Sequence, residues 1–236
     1  MKGLNILECL YPNKCAGCDE IINSSKPLCE FCGVCINNTD YGKVCKKCGF
    51  QKDYCRCGMR EYHFSGAVGT FKNSGTARKA YYSYKLNKRR ELALYFADRV
   101  ARAVRAVFPD VVFDAVVCVP TAHRSRLKRG FDHNEEIAEN LAKFLKVRFV
   151  RGILKAEHFK PLQHKSPFAK RLENVRGKYY TDKRLELNRV LLFDDIFTTG
   201  ATLDECAKEL MFAGVREVYA ASVLATYPKK KTNGRK

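Results

Sequence analysis

The sequence lacks the long apolar segment that a membrane-spanning helix requires. No stretch of the 236 residues approaches the roughly 18 consecutive apolar residues of such a helix. The apolar run at residues 4–10 is too short for a secretory signal peptide, and it contains Glu8. We find no internal repeat either. These absences lead us to expect a cytoplasmic protein with no membrane span and with reduced thiols.

Acidic residues are scarce relative to basic ones. The chain has 25 Asp and Glu against 44 Lys and Arg, a formal net charge of +19, which favours polyanionic partners such as nucleic acid. The basic residues 229–236 are expected to form a disordered tail. A hydrophobic fraction of 46% excludes wholesale disorder, and 236 residues suffice for one α/β core with a small appendage.

Ten of the twelve cysteines precede residue 60, which is typical of metal ligands in a cytoplasmic chain rather than of a disulfide framework. Eight of them form close pairs: Cys15 and Cys18, Cys29 and Cys32, Cys45 and Cys48, Cys55 and Cys57. Tetrahedral zinc binds two such pairs, so four pairs predict two zinc ions. We therefore predict a zinc module over residues 1–60, folded largely by its metal.

The way in which the pairs share the two ions is left open by their spacing. Sequential pairing, with the first two pairs on one ion and the last two on the other, closes the shorter loops. A cross-brace would interleave them. Cys35 competes with Cys32 for the first site, and Cys9 is left over.

A second pattern lies in the last third of the chain. The apolar run 190–193 predicts a strand buried on both faces, and we expect a loop to begin at Asp194 and Asp195. Apolar residues at helical spacing over 203–212 predict that this loop opens a helix, whose free amides form a phosphate site. The alternative interpretation is a plain turn with capping threonines and surface aspartates.

Paired carboxylates repel phosphate, so ribose hydroxyls and a magnesium ion are better partners for them. The pattern resembles the phosphoribosyl pyrophosphate (PRPP) motif of type I phosphoribosyltransferases. The resemblance implies that Asp194 and Asp195 position the ribose as the catalytic pair. It also implies a 5-phosphate loop, made of Thr198, Thr199, Gly200, Ala201 and Thr202.

Residues 114–120 predict another buried strand, with Cys118 in the core, followed by a strongly cationic loop. Thr121 opens this loop and is assigned to PRPP binding. Its charges, which could hold a pyrophosphate or a nucleic-acid backbone, are Arg124, Arg126, Lys128 and Arg129. His123 and His133 could shuttle protons or be plain polar loop residues. Asp132 and Glu135 predict a capping box for the next helix.

Residues 72–90 mix tyrosines with cations. Rings among cations can stack on bases and pair with phosphates, which would make Lys85 and Arg89 pyrophosphate or nucleic-acid contacts. Alternatively, Tyr81 and Tyr84 are buried helix positions and the lysines are a solvated face. The spacing of apolar residues over 92–107 predicts a packed amphipathic helix.

Together these motifs resemble the ComF family over nearly the whole chain. The resemblance is carried by the cysteine pairs, by Arg126-x-x-Arg129-Gly130-Phe131-Asp132 after a Val-Pro strand end, by Gln163 with Arg171-x-x-Asn174, and by the Asp-Asp loop. It implies an orotate-type phosphoribosyltransferase fold and a role in natural competence or in the use of DNA as a nutrient. The family more often has Asn-Gln at Asp132-His133, and Cys55-x-Cys57 is tighter than its usual spacing.

The expected fold class is α/β. A Rossmann-like parallel sheet of the type I phosphoribosyltransferase kind spans residues 61–228, with the zinc module at one side and the basic tail at 229–236. The first functional hypothesis is a competence factor that binds single-stranded DNA and PRPP with magnesium, alongside a DNA-translocating helicase and other transformation proteins. The alternative is a nucleobase-salvage phosphoribosyltransferase. Whether PRPP is turned over, and by which acceptor, is left open.

Overall fold

A five-stranded parallel sheet forms the centre of the computed structural model, which describes residues 12–22, 26–36, 40–55, 57–58, 60–121, 130–156 and 177–227. The strands are β1 Gly66–Lys72, β2 Ala115–Cys118, β3 Arg148–Phe149, β4 Lys155–Ala156, β5 Tyr179–Tyr180, β6 Arg189–Phe197 and β7 Glu217–Ala225. The strand order in the sheet is β1-β7-β6-β2-β3. A separate antiparallel pair is formed by β4 and β5. The expected parallel α/β sheet is confirmed.

Helices cover both faces of this sheet. They are α1 Glu30–Ile36, α2 Gly75–Asn87, α3 Leu92–Val107, α4 His133–Leu145 and α5 Ala201–Phe212. Leu191 and Phe193 of β6 pack in one core with α2, α3 and α4, whereas Val190 and Leu192 pack in a second core with α5. Strand β6 is therefore buried on both sides, as its uninterrupted apolar run predicts.

The carboxyl ends of β1, β2 and β6 lie at the same edge because these strands run parallel within one sheet. Helices α2, α4 and α5 each follow one of them in the chain, so all three begin near that edge. Ligands of open α/β sheets bind there. The helix predicted over 92–107 is confirmed as α3.

The cysteine-rich segment, residues 12–58 as far as they are described, lies along the edge strand β1. Gly49 forms a bridge to Val68, and the backbone N–H of Ala67 donates to the carbonyl of Lys46 at 2.9 Å. Cys15 and Cys32 belong to the first core, and Cys48 to the second. This cysteine module thus covers an edge that would otherwise expose unpaired backbone groups.

Two boundary predictions were wrong. The loop expected at Asp194 begins only after Phe197, because β6 stays paired with β7 as far as Phe197 opposite Ala225. The helix expected from 203 begins two residues earlier, at Ala201.

Within the described ranges, every helix is too short or too polar to cross a lipid bilayer. The domain limits at residues 60 and 228 stay predictions. The tail at 229–236 and Cys9 lie outside the described residues.

Candidate functional site

The two carboxylates of β6 contact different partners. Oδ1 of Asp194 accepts hydrogen bonds from Nδ2 of Asn134 at 3.1 Å and from the backbone N–H of Asp195 at 2.8 Å. Asn134 is buried in the first turn of α4 and also donates to the carbonyl of Val119 at 3.1 Å. This amide therefore ties the first carboxylate to the end of β2.

Asp195 accepts three donors on a single oxygen, Oδ2. The hydroxyl of Tyr81 and Nε2 of His133 each lie 3.1 Å away, and the ammonium group of Lys85 is in direct contact. Tyr81 and Lys85 come from α2, and His133 is the first residue of α4. The second carboxylate thus joins β6 to both neighbouring helices.

These surroundings shift the pKa values of the two carboxyl groups in opposite directions. Burial, and then the neighbouring negative charge of Asp195, raise the pKa of Asp194 to about 8. Burial alone would also raise the pKa of Asp195, but the hydrogen bond from His133 and the charge of Lys85 hold it well below its ordinary value. Near neutral pH the coupled pair therefore carries about one negative charge rather than two.

The segment after β6 forms a tight loop at the start of α5. Gly200 has a φ of +76°, and a Cβ there would lie 2.8 Å from the ring of Phe197 and 3.2 Å from that of Tyr62. Only glycine satisfies both restrictions. A small pocket opens beside it, lined by Asp194, Ile196, Phe197, Thr198, Gly200, Ala201, Thr202 and Leu203. We call residues 198–202 the phosphate loop, after the role that the sequence analysis predicts for them.

Thr199 differs from the other hydroxyl residues of the phosphate loop. It is buried, and its Oγ1 accepts the backbone N–H of Ala201 at 3.2 Å. Thr198 and Thr202 instead line the pocket. Thr199 therefore braces the loop from inside, while Thr198 and Thr202 face the pocket.

Three residues that the sequence analysis did not single out surround the outside of the loop. Arg60 donates from Nη1 to the carbonyl of Thr199 at 3.4 Å and from Nη2 to Oδ2 of Asp204 at 2.5 Å. The backbone N–H of His63 donates to Oδ1 of Asp204 at 2.6 Å. Arg60 and His63 are separated from these partners by 139 to 144 residues, which leaves no local signal by which to find them.

The other assigned residues divide into three groups. Thr121 donates to Oδ1 of Asp132 at 2.9 Å, beside the start of α4. Lys85 joins the acidic pair, but Arg89 contacts Glu91 and the carbonyl of Lys14, away from that cluster. Several residues lie outside the described ranges, namely His123, Arg124, Arg126, Lys128, Arg129, Gln163, Arg171 and Asn174. Cys118 is buried, which raises the pKa of its thiol, as expected for a core residue.

The open question about the tyrosines of α2 is answered by burial. Tyr81 and Tyr84 are fully buried, and the hydroxyl of Tyr84 donates to the carbonyl of His133 and to Oε2 of Glu136, both at 3.0 Å. Neither ring is available to a nucleic-acid base. Tyr82 is partly exposed, and the guanidinium of Arg78 lies 5.5 Å from its ring centre.

The sequence analysis did not predict the site roles of three residues: His133, Asn134 and Tyr81. It left two interpretations open for His133 and for Tyr81, and it assigned no role to Asn134. A signal for two of them existed. Asp132 accepts the backbone N–H groups of Asn134 and Glu135 at 3.0 and 3.2 Å, as predicted for a helix cap. A cap at Asp132 places residues 133 and 134 in the first turn of a helix that follows β2, and hence at the ligand edge.

Eight cysteines form two groups. The first contains Cys15, Cys18, Cys29 and Cys32, and the second contains Cys45, Cys48, Cys55 and Cys57, with the sulfur atoms of each group within 4.8 Å of one another. Of the two groupings that the spacing left open, the structure shows the sequential one, and Cys35 is not in the first group. Sulfur distances of 3.6 to 3.9 Å match the edge of about 3.8 Å of a tetrahedron with metal–sulfur bonds of about 2.3 Å. Both groups fit a metal ion.

Fold and site together define a class: a parallel α/β protein with two four-cysteine groups along its edge strand and a strand–loop–helix phosphate loop beside paired acids. Similarity to known proteins agrees with the motifs. The chain is 23% identical over 207 residues to Competence protein F of Haemophilus influenzae, covering 86% of each protein. It is 21% identical over 207 residues to DNA utilization protein YhgH of Escherichia coli K12, again covering 86% of each. The predicted resemblance to the ComF family is confirmed. No family model matches the sequence.

Solved structures with a similar chain course include an adenine phosphoribosyltransferase and a glutamine PRPP amidotransferase. An adenine phosphoribosyltransferase aligns over 59% of this chain and 73% of its own, with 17% identity and a TM-score of 0.38. Glutamine PRPP amidotransferase from B. subtilis aligns over 60% of this chain and 30% of its own, with 18% identity and a TM-score of 0.40.

Proposed function

We propose that this chain binds PRPP with magnesium at the carboxyl edge of its sheet and acts in the cytoplasm on single-stranded DNA during DNA uptake. The observation that carries the PRPP part is the phosphate loop, which opens α5 directly beside Asp194. Backbone amides and the helix dipole attract a phosphate there. The acidic pair lies on the strand that leads into the loop, and Asp194 lines the same pocket as the loop residues.

The charge state of the pair suits a phosphorylated sugar. With about one negative charge instead of two, the acids repel a neighbouring phosphate less, and Asp195 retains Oδ1 as an acceptor for a ribose hydroxyl. Asp194 would accept a hydrogen bond from the adjacent ribose hydroxyl or donate one to it. Among the described residues, the groups of three or more clustered metal ligands consist of cysteines. Magnesium would therefore bind together with PRPP, coordinated by the pyrophosphate oxygens and by several water molecules.

Whether the bound sugar reacts depends on an acceptor. Displacement at ribose C1 would pass through an oxocarbenium-like state, in which Asp194 and Asp195 hold the sugar. Lys85 and the cations of the 122–129 segment would then face the departing pyrophosphate. The same residues would hold PRPP without turnover in a protein that only senses it.

The test is a calorimetric titration of the full chain with PRPP and Mg²⁺. We expect saturable binding by the wild type, and binding about tenfold weaker or lost in Asp194→Asn with Asp195→Asn, while metal content stays at two ions per chain. Equal titration curves for both proteins would refute the assignment. Release of pyrophosphate with a panel of nucleobases would instead favour a salvage enzyme.

The DNA part of the proposal is supported by the names of the relatives and by the net charge of +19. Arg78 and Lys79 on the outer side of α2 are exposed, as is Lys88 directly after the helix, and Tyr82 is partly exposed. Cations beside an accessible ring can pair with phosphates and stack on a base. We therefore assign single-strand contact to this outer side of α2.

Salt dependence tests this assignment. Binding of a labelled single strand should weaken steeply with salt, and replacing Arg78 and Lys79 by Ala should reduce the slope of log affinity against log salt by about 1.4. A matched control replaces Arg102 and Lys143, which are already paired with Asp98 and Glu139 on their own helices. Flat salt dependence, or an equal effect of both double variants, would contradict the proposal.

We assign zinc to both cysteine groups, because four thiolates in a tetrahedral arrangement are typical of structural zinc. A helicase and other transformation proteins are the proposed protein partners. Metal analysis of the purified chain should give about two zinc ions per molecule. A value near zero would remove zinc from the proposal.

A further inference from the structure

The second cysteine group lies close to the phosphate loop. Phe50 stands between Cys48 and Cys55 in the sequence, and its ring centre lies 5.0 Å from that of Phe197, the last residue of β6. Phe50 is fully buried, so this contact is shielded from water. The turn that carries the second group is therefore packed directly against the residue from which the loop departs.

A second connection runs through Arg60, three residues after Cys57. Its side chain is 20% exposed and contacts both the carbonyl of Thr199 and the carboxylate of Asp204 in the first turn of α5. The guanidinium also lies 4.8 Å from the ring centre of Tyr62, the ring that limits the space at Gly200. Residues 60–62 thus form the outer wall of the phosphate loop.

The contact with Thr199 has a consequence for ligand binding. In a planar trans peptide, the carbonyl of one residue and the N–H of the next point in opposite directions. Because Arg60 holds the carbonyl of Thr199, it turns the N–H of Gly200 away from itself, and Gly200 lines the pocket. The ion pair with Asp204 also offsets a negative charge that would repel a phosphate at the start of α5.

We infer that Arg60 is a positioning residue through which the second cysteine group, when it holds its metal, orients the phosphate loop. This inference rests on the proposed binding of a sugar phosphate at the loop. It gives the cysteine module a task inside the protein, distinct from contact with DNA or partners. The first cysteine group has no part in it, because that group packs in the opposite core.

The first experiment measures affinity for ribose 5-phosphate and for PRPP with Mg²⁺ by calorimetry on the full chain. Arg60→Met should weaken both about tenfold, with zinc content unchanged at two per chain, and Arg60→Lys should recover part of the loss. Arg102→Met is the matched control, because Arg102 is exposed and paired with Asp98 within α3. Wild-type affinity in Arg60→Met would overturn the inference.

The second experiment tests the coupling to the metal. Cys57→Ser should weaken ligand binding in the wild type but add little in Arg60→Met, because both changes break the same connection. Fully additive losses would show that the two act independently and would overturn the coupling.

Amide hydrogen exchange of residues 198–204 separates this inference from the proposed function, because it needs no ligand. Exchange should rise in Cys57→Ser and in Arg60→Met, but not in Cys18→Ser. Unchanged exchange in the first two variants would overturn the coupling even if PRPP binds. Faster exchange without any PRPP binding by the wild type would refute the proposed ligand and leave the coupling of loop and module standing.

Discussion

At the scale of single residues, Asp194 and Asp195 differ in charge near neutral pH because their neighbours differ. Asp194 is mostly protonated, whereas Asp195 is ionised. Asp195 accepts hydrogen bonds from His133 and Lys85. Asp194 instead accepts one from the amide of Asn134 and lies beside the negative charge of Asp195. An acid whose pKa is raised on folding keeps a proton that the unfolded chain has released. Its contribution to stability is complete below its ordinary pKa near 3.8 and is lost as the pH rises toward about 8.

Asp194→Asn should therefore become more stable relative to the wild type as the pH rises from 6 to 8, by up to about 1.4 kcal/mol per pH unit. Asn keeps the oxygen that accepts from Asn134 and from the backbone of Asp195. Urea unfolding at several pH values measures this difference. Asp195→Asn is the opposite case, because its lowered pKa stabilises the fold above pH 4, so this variant should be less stable throughout. Parallel stability curves for Asp194→Asn and the wild type would contradict the assigned pKa.

Tyr81→Phe removes a buried donor to a charged oxygen and should lower the free energy of unfolding by about 1.5 to 3 kcal/mol. Tyr82→Phe on the same helix should change it by less than about 0.5 kcal/mol, since Tyr82 is partly exposed. Denaturant unfolding of both variants provides the comparison. Equal effects would mean that the hydroxyl of Tyr81 does not stabilise Asp195.

At the scale of elements, the start of α4 organises one side of the site. Asp132 caps the helix with two backbone hydrogen bonds and accepts the hydroxyl of Thr121. The cap fixes where the first turn begins, and the first turn carries His133 and Asn134 to the two carboxylates. A local capping preference thus determines the contacts of the acidic pair.

Asp132→Ala should lower the free energy of unfolding by about 1 to 2 kcal/mol, whereas Asp132→Asn, which can still cap, should cost only a few tenths. Because the first turn would fray, Asp132→Ala should also weaken PRPP binding more than Asp132→Asn does. Urea unfolding and calorimetry on the same samples report both effects. Identical behaviour of the two variants would show that the capping oxygen is unimportant here.

At the scale of the whole molecule, the cysteine module contacts both cores and covers the edge strand β1. Its fold depends on the metal, because so short a segment buries little apolar surface of its own. Loss of metal should therefore uncover a strand edge as well as loosen the two cores.

Removing the metal with a chelator should lower the melting temperature by roughly 10 °C or more and cause self-association through the exposed edge. Scanning calorimetry and light scattering measure these effects, and adding zinc back under reducing conditions should reverse them. A metal-free chain that melts at the same temperature and stays monodisperse would contradict a structural role for the module.

Features that depend on residues close together in the chain could be predicted from the sequence, whereas features that depend on distant residues could not. The close cysteine pairs predicted two metal-type groups, the apolar run 190–193 predicted a strand and the periodicity over 92–107 predicted α3, and the structure agrees with each. Which cysteine pairs share a group was left open by the spacing and was decided by the structure. The predicted end of β6 was wrong, because the strand continues for as long as it pairs with β7. No local sequence pattern encodes this pairing. The limits of the two domains and the role of the cationic 122–129 segment stay predictions.

The amino-acid sequence by itself determined the alternation of strands and helices, the two metal-type groups and the phosphate loop, because each arises from residues within about thirty positions of one another. The tertiary structure alone decided which residues complete the site. Lys85 and His133 reach Asp195 from 110 and 62 positions away, and Arg60 reaches Asp204 from 144. Such contacts follow from the order of strands in the sheet, which brings distant segments to one edge and sets the charge of the acids that meet there.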